Sequence, residues 1–466
     1  MSIEGSGQAR VVASTGGKTV LVWVIYGLLM LHALCYQLQV PLEPYLVDHL
    51  IGKGSGATTT YGLLQSFYQV VQLLGAVAFG GFLDRYGCRA GLVVSHIAAA
   101  LHFLLLANTS SVTVLFLSKI PGILSHPFLA SQTALSKITA EGPERVTAFG
   151  RLVTAYTVGG IIGPYAGGSL GASGDFFLSA KIAVAGSLIC MGICMALPVN
   201  LERGEVHADA PLVDRLSNAE AGAATPAAEP VLPSWKERVG TICSVCGPLV
   251  FMRFIMFTVS GITKTSDTVV MKNELALSQD QLGLVMSISF AFAAINSGVI
   301  LGPLTRCLGG RALPVVRKCL PLVAATYFVQ AALRSETLGI LSKLDPLRQT
   351  YIFVGVTTIG MVFRFAISTT ITAETTRMVP KEIRGSLLGM EHSMYSASRI
   401  VSPSLGIAML EGLGSSSLYV GVAIVPLVTL VFWLMFAGRY LEPQEGAAAS
   451  EPKLAASMQM KEKAVS

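Results

Sequence analysis

The sequence predicts an all-α integral membrane protein with twelve transmembrane helices arranged as two related six-helix bundles. Three observations predict this fold: an apolar composition, twelve long apolar stretches, and a short pattern that occurs once in each half of the chain. Hydrophobic residues make up 52% of the chain and charged residues 13%, whereas about 25% of the residues in a soluble protein are charged. The composition therefore favours a lipid environment.

Twelve apolar stretches are long enough for membrane helices, which need about 20 residues each. They cover residues 19–42, 60–81, 90–108, 111–135, 152–171, 176–198, 244–263, 280–303, 314–333, 350–372, 384–410 and 416–439. The first stretch is longer than the apolar core of a signal peptide. We therefore interpret it as a membrane helix.

A polar stretch rich in Ala, Glu, Asp and Pro separates the sixth apolar stretch from the seventh. Such a composition is typical of a flexible linker. The predicted organisation is an N-terminal cytoplasmic segment (1–18), an N-terminal six-helix bundle (19–198), a cytoplasmic linker (199–240), a C-terminal six-helix bundle (241–440) and a disordered cytoplasmic tail (441–466).

Lysine and arginine in the short loops predict the orientation. Loops on the same side as the N-terminus hold twelve of these residues, and loops on the opposite side hold six. Because positive loops stay in the cytoplasm, we expect both termini to be cytoplasmic. Residence in the plasma membrane or in an endomembrane is left open.

Several function classes are disfavoured by the sequence. The net charge of +6 is scattered in short groups, which predicts no nucleic-acid partner. The eight cysteines lie in apolar segments or on predicted inner loops, so no disulfide is expected. No phosphate-binding G-x-x-x-x-G-K-[ST] pattern and no catalytic constellation occur, so we expect neither an enzyme, nor a cofactor, nor a metal site.

The pattern shared by the two halves follows the second helix of each. Residues 80–90 read GGFLDRYGCRA, and residues 302–312 read GPLTRCLGGRA. Asp84 can accept hydrogen bonds from helix N-termini and basic groups, and Gly80 and Gly87 allow a close approach and a tight turn. We therefore predict a conformational latch, which consists of Gly80, Asp84, Arg85, Gly87 and Arg89.

A glycine-rich segment lies within the fifth apolar stretch. Residues 159–168 read GGIIGPYAGG, and the spacing places Gly159, Gly163 and Gly167 in one row on a helix. Five glycines and a proline would destabilise a helix in water but are tolerated between membrane helices. We predict that Gly159, Gly163, Pro164, Gly167 and Gly168 form a packing surface that serves as a hinge.

These motifs resemble those of a known transporter family. Residues 80–89 resemble the loop signature of the major facilitator superfamily, and residues 159–168 match the fifth-helix signature of its drug/proton antiporter branch. Residues 129–171, including 140–145 and 149–151, resemble tetracycline exporters, and residues 40–175 resemble organic-cation-transporter-like members. The chain departs from the pattern at Cys88, where Arg is expected, and at Arg306, which occupies the acidic position of the second copy.

The resemblance implies secondary transport of small organic solutes by alternating access. The expected solutes are amphipathic organic cations or drugs exchanged for protons, and the expected state is a monomer in the lipid bilayer. Two alternatives stay open: a facilitative uniporter for organic anions or zwitterions, and a transport-inactive receptor or scaffold that binds protein partners through its linker and tail.

Polar and charged residues inside the spans are the candidates for a solute cavity, because a charge there costs roughly 2.5–3.5 kcal/mol to insert. The resemblance implies that the fourth and tenth helices line the cavity, which places Lys119 and Arg364 beside it. The full set of candidates is Tyr26, Gln37, Gln69, Lys119, Arg364 and Arg399. The excess of basic groups leaves the charge of the solute open.

Proton coupling requires a group that binds and releases a proton. Glu391 is the one carboxylate clearly inside a predicted span, and the adjacent His392 titrates near neutral pH. We predict that Glu391 and His392 couple transport to protons. The alternative is a structural pair between Glu391 and Arg399, while Arg253 is expected to extend from near a span end towards water.

Overall fold

The computed structural model describes residues 4–139, 143–198, 235–335, 344–379 and 383–437. Within these ranges the side chains of some helical residues, including Asp84 and His392, lie outside the description. The predicted tail and most of the predicted linker also lie outside the described residues. The domain boundaries stay predictions.

The described ranges are helical and contain no strand. Their α-helices are α1 (Glu4–Gln37), α2 (Glu43–Ile51), α3 (Ser55–Ala107), α4 (Val112–Lys119), α5 (Pro127–Ile138), α6 (Pro143–Ala172), α7 (Leu178–Ala196), α8 (Trp235–Asn273), α9 (Gln279–Ile295), α10 (Leu301–Cys307), α11 (Ala312–Arg334), α12 (Pro346–Met378) and α13 (Arg384–Phe432). A 3₁₀ turn, Ile120–Ile123, follows α4.

Two of the long helices are interrupted at glycines. Gly87 in α3 has φ 82° and Gly414 in α13 has φ 78°, which is the left-handed region that glycine adopts without a steric penalty. Each of these helices therefore consists of two straighter pieces. The break at Gly87 lies at the position where the sequence predicts a tight turn.

Ten stretches of the described helices are long and apolar enough to cross a membrane. One of them, Ser393–Met435, is divided by the break at Gly414 and contains two predicted spans. Helix α6 is absent from the ten because its glycines, Pro164 and tyrosines dilute its hydropathy. With α6 and that division, the helices accommodate twelve spans, and the prediction of an all-α membrane protein is confirmed.

The helices form two compact units. Unit 1 consists of Met1–Val231 and Thr265–Ala294, and unit 2 consists of Leu232–Lys264 and Ile295–Ser466. In unit 1, α1 packs against α6 and α3 packs against α7; in unit 2, α11 packs against α12 and α13. The end of α8 and almost all of α9 therefore belong to unit 1.

Large apolar side chains lie both inside and outside the helix packing. In unit 1, Leu29, Phe79 and Leu92 are buried in a common core, whereas Trp23 and Leu74 are 62% and 59% exposed. A surface this apolar is suited to lipid. Because lipid tails are as apolar as leucine, close approach of small residues contributes more to helix association than hydrophobic burial does.

Helix α6 shows this close approach on the face formed by Gly159, Gly163 and Gly167. A Cβ atom added to Gly159 would lie 2.5 Å from the carbonyl oxygen of Met30, and one added to Gly163 would lie 2.6 Å from Cβ of Gln37. Gly167 packs directly against the backbone of Leu38. The row therefore fits against α1 and the turn that follows it.

A second face of α6 packs against α9. A Cβ atom on Gly160 would lie 2.7 Å from the Phe290 ring, and Gly168 lies against the backbone of Gln279. Near Pro164, which interrupts the helical hydrogen bonding, the backbone N–H of Tyr165 donates to Oγ of Ser287 at 2.9 Å. Helix α6 is thus packed on two sides within unit 1.

We predict that Gly163→Ala lowers stability whereas Gly150→Ala does not. An added methyl group at Gly163 overlaps Gln37, and such overpacking costs about 1–3 kcal/mol, more than the gain of about 1 kcal/mol in helix propensity. Gly150 lies in the same helix with no atom within 4 Å of an added Cβ, so it is the matched control. Thermal unfolding of the purified protein in detergent measures both; equal midpoints would contradict the packing role.

Candidate functional site

A buried ion pair in unit 1 joins Lys119, the last residue of α4, to Glu43, the first residue of α2. Lys119 Nζ bonds to Oε1 of Glu43, and Nε2 of Gln65 donates to Oε2 of Glu43 at 2.7 Å. Lys119 is 2% exposed and Glu43 is 9% exposed. Both carboxylate oxygens are therefore occupied, and the lysine charge is compensated.

Sequence reasoning missed Glu43 because it lies one residue beyond the first predicted span. A usable signal was present, since Glu43 stands between Pro41 and Pro44 in an otherwise apolar segment. An acidic residue at such a position is expensive in the membrane unless it is paired. The basic excess inferred from Lys119 is thus offset within unit 1.

Aromatic and amide groups surround this pair. Lys119 Nζ lies 5.3 Å from the centroid of the Tyr68 ring, close enough for a cation–π interaction, and Tyr36 stacks on Tyr68 at 6.2 Å. Nε2 of Gln72 lies 3.1 Å from the Tyr68 hydroxyl oxygen and donates to the carbonyl of Gly122 at 3.0 Å. These contacts hold Lys119 in one place.

Three other cavity candidates of unit 1 take different positions. The Tyr26 hydroxyl donates to the carbonyl of Ala148 at 3.1 Å, which joins α1 to α6. Gln37 is buried and lies against Gly163. Gln69 is half-buried on α3. The contacts of Tyr26 and Gln37 are those of residues that pack helices together.

A second ionic cluster in unit 1 joins α2 to the end of α8. Lys272 Nζ lies 2.6 Å from Oδ1 of Asp48, and the two side chains are 8% and 12% exposed. The same Nζ donates to the carbonyl of Pro44 at 2.8 Å. Lys272 lies between the seventh and eighth predicted spans, and the structure buries it among polar partners.

In unit 2 the predicted coupling residue Glu391 pairs with Arg253. Arg253 Nη1 lies 2.7 Å from Oε2 of Glu391, and the Thr375 hydroxyl donates to Oε1 at 3.2 Å. Arg253 was expected to extend towards water, whereas its side chain is 15% exposed and is paired with Glu391. The predicted alternative, a pair between Glu391 and Arg399, is replaced by this one.

The other basic candidates of unit 2 lie elsewhere. Arg364 Nη1 donates to the Tyr327 hydroxyl at 2.8 Å, and the guanidinium lies 5.5 Å from the centroid of that ring. Arg399 is half-buried on α13. Among the described residues, the partner of Arg364 is thus an aromatic, neutral side chain.

A cleft of about 640 Å³ opens beside Arg253 in unit 2. This volume lies within the range of about 300–1,000 Å³ typical of small-molecule sites. Its lining residues are Arg253, Ser368, Thr369, Thr372, Ala373, Thr376 and Arg377. The cleft is therefore bordered by two guanidinium groups and four hydroxyl groups.

The predicted latch is described only in part. Arg85 is exposed and lies 5.4 Å from the Tyr86 ring centroid, and Arg89 Nη2 donates to the carbonyl of Met195. Gly80 lies on α3 with open space beside it. The side chains of Asp84 and His392 lie outside the described residues, so the latch and the histidine's part in coupling stay predictions.

Comparison with known sequences gives one family. Residues 25–374 match the sequence profile of the Major Facilitator Superfamily. The chain is similar to solute carrier family 22 member 18 of Rattus norvegicus, with 27% identity over 89% of this chain and 93% of the relative. It is also similar to the class C tetracycline resistance protein of Escherichia coli, with 32% identity over 32% of this chain and 37% of the relative.

Comparison with solved structures supports the fold. The structure is similar to that of a peptide transporter POT solved in complex with sulfate, with a TM-score of 0.63, 14% identity, and coverage of 90% of this chain and 94% of the transporter. Identity this low shows the fold alone. The relatives are transporters and not enzymes, in agreement with the sequence-based expectation.

The buried pair between Lys272 and Asp48 in unit 1 gives a stability prediction. We expect Asp48→Asn to destabilise the protein by about 3–5 kcal/mol, because it leaves the buried ammonium of Lys272 without a counter-charge. Asp175→Asn is the control: Asp175 pairs with Lys181 at 3.2 Å, with side chains 43% and 58% exposed, and exposed pairs contribute about 0–1 kcal/mol.

Chemical denaturation of both variants in the same detergent measures the difference. Similar losses of unfolding free energy in the two variants would contradict the importance assigned to the Lys272–Asp48 pair. Hydrogen exchange of the α2 amides gives a local readout, and faster exchange is expected in Asp48→Asn alone.

Proposed function

The chain belongs to the Major Facilitator Superfamily and is a multi-pass membrane transporter of small solutes; from this premise we propose that its transport is coupled to protons. The observation that supports coupling is the buried pair between Glu391 and Arg253. Glu391 is 4% exposed and is held by the guanidinium group of Arg253 and the hydroxyl group of Thr375. A change in its protonation state therefore changes these contacts.

The chemistry of coupling follows from the pair. When Glu391 is ionised, its charge and that of Arg253 cancel, and the helices that carry them, α13 and α8, are held together. A proton on Glu391 removes this attraction and leaves the Arg253 charge uncompensated, which is costly in the membrane. Proton binding thus favours a rearrangement of unit 2. In unit 1, a proton on Glu43 would likewise remove its attraction to Lys119.

The class of solute sets the sign of the coupling. The drug/proton antiporter resemblance, with the tetracycline resistance relative, favours amphipathic organic cations or drugs. A cation and a proton that compete for one carboxylate are exchanged across the membrane. Glu43 and Glu391 are the buried carboxylates for which a cation would compete with Lys119 and Arg253.

A second candidate is an organic anion or zwitterion, and the cleft beside Arg253 favours it. Two guanidinium groups and four hydroxyl groups line this cleft, and such groups attract carboxylates and phosphates. An anion is bound more readily when Glu391 carries a proton, so solute and proton would move together. A uniporter would carry the solute with no dependence on the pH gradient.

Alternating access requires contacts that close one side and then break. We propose that the Lys272–Asp48 cluster closes the outer side in unit 1 and that the Asp84 loop is the inner latch. The bias of basic residues in the loops supports cytoplasmic termini, and a monomer is sufficient for this cycle. We also propose that the two six-helix bundles are separated by a linker at residues 199–240.

Proton-coupled transport is tested with purified protein in liposomes that contain a pH-sensitive dye. We expect addition of a transported solute to change the internal pH: a cation that is exchanged and an anion that is cotransported give opposite signs for the same direction of solute movement. Solute flux with no proton movement would indicate a uniporter. Neither signal, in folded protein and over a panel of both charges, would favour the receptor or scaffold.

The variant Glu391→Gln isolates the coupling step. It keeps the shape of the side chain but cannot ionise, so we expect solute-dependent proton movement to fall to background while solute still binds. Glu144→Gln is the control, because Glu144 forms an ion pair with Lys18 on the surface of unit 1. Intact proton movement in Glu391→Gln would remove Glu391 from the mechanism.

A further inference from the structure

The cleft in unit 2 has one wall from α8 and one from α12. Helix α8 contributes Arg253, and all the other lining residues belong to α12. On α12, Thr369, Thr372 and Thr376 are spaced three and four residues apart, which places them on one face of the helix. The face that borders the cleft is therefore lined with hydroxyl groups and ends at Arg377.

Arg253 reaches this cleft with only part of its guanidinium group engaged. Its Nη1 contacts Glu391 and Thr372. Its Nε is buried and has no hydrogen-bond partner among the described residues, so Nε is inaccessible to a ligand in this conformation. Because a guanidinium group presents five N–H donors in a rigid fork, an acceptor in the cleft meets the part of Arg253 that lines it.

The second guanidinium is held more loosely. Arg377 Nη2 bonds to Oε1 of Glu374 at 2.5 Å, and its side chain is 46% exposed while that of Glu374 is 8% exposed. The four side chains balance in charge when both carboxylates are ionised. Both arginines nevertheless line the cleft, and neither glutamate is among its lining residues.

We propose that this cleft binds the carboxylate or phosphate group of an organic anion, with Arg253 as the central contact and Arg377 as the second. The inference rests on the second candidate of the proposed function, in which the bound anion is the transported solute. Planar guanidinium groups bind carboxylate and phosphate oxygens in pairs. The hydroxyls of Thr369, Thr372 and Thr376 already donate to backbone carbonyls of α12, so the guanidinium groups are the donors offered to the anion. Glu391 competes with the anion for Arg253.

Direct binding to the purified full-length protein in phosphatidylcholine nanodiscs tests this site. Isothermal titration with benzoate, phenyl phosphate and benzylamine compares two anions with a cation of similar size. We expect the anions to bind and benzylamine to bind at least about tenfold more weakly. Equal affinity for benzylamine and benzoate would overturn the proposal.

Two substitutions in one ion pair should have opposite effects. Arg253→Gln removes the central contact and should weaken benzoate binding about tenfold or more, as expected for hydrogen bonds to a charged group. Glu391→Gln removes the competitor and should strengthen binding several-fold. If both variants weakened binding equally, Arg253 and Glu391 would have only a structural role and the proposal would fail.

Arg377→Gln tests the site even if Arg253→Gln misfolds. Arg377 is partly exposed, and its replacement leaves the buried Arg253–Glu391 pair intact. Weaker benzoate binding in this variant supports the site, and unchanged binding in both arginine variants overturns it. The matched control is Arg334→Gln, an arginine of unit 2 that donates to Gln349 at 3.0 Å outside the cleft. Its benzoate affinity should equal that of the unmodified protein.

Two sources of the anionic group are distinguished with nanodiscs that contain phosphatidylglycerol. A lipid headgroup in the cleft lowers the apparent affinity for benzoate through competition, whereas a site for soluble anions keeps the same affinity. Because binding is measured separately from transport, a protein that carries cations but does not bind the anions refutes this inference alone. Anion binding with no flux of any solute refutes the proposed function alone.

Discussion

Buried ion pairs between helices shape both units. A charge inside a membrane span costs roughly 2.5–3.5 kcal/mol to insert, and a counter-charge on a neighbouring helix offsets this cost. Glu43 and Lys119 therefore join α2 to α4, and Arg253 and Glu391 join α8 to α13. The pairs position the helices and, at the same time, place titratable groups in the interior.

Close packing of small residues complements these pairs. Helix α6 has little side-chain volume on two faces, so α1 approaches it at Gly159 and Gly163, and α9 approaches it at Gly160 and Gly168. Neither contact depends on removal of apolar surface from water. Such an interface has few interlocking side chains, which is suited to helices that must shift during a transport cycle.

The fold could be predicted from the sequence because its signals are local. Apolar length, loop charge and the glycine row of α6 are each read within one segment. The partners of buried charges could not be predicted, because they join segments far apart in sequence: Glu43 with Lys119, and Arg253 with Glu391. Glu391 stood out in the sequence because it lies inside an apolar stretch, but the arginine it contacts could not be chosen among several.

This difficulty points to what marks a proton-coupling site. A search for an isolated acidic residue overlooks its basic partner. In a low-dielectric interior, however, the acidic residue and its partner respond to a proton together. In unit 2 the basic partner is Arg253, which contacts Glu391 and also lines the cleft. In the proposed mechanism, protonation of Glu391 changes the charge that Arg253 offers to a ligand. Coupling between proton and solute, as proposed, then needs no long-range signal, because both act on the same guanidinium group.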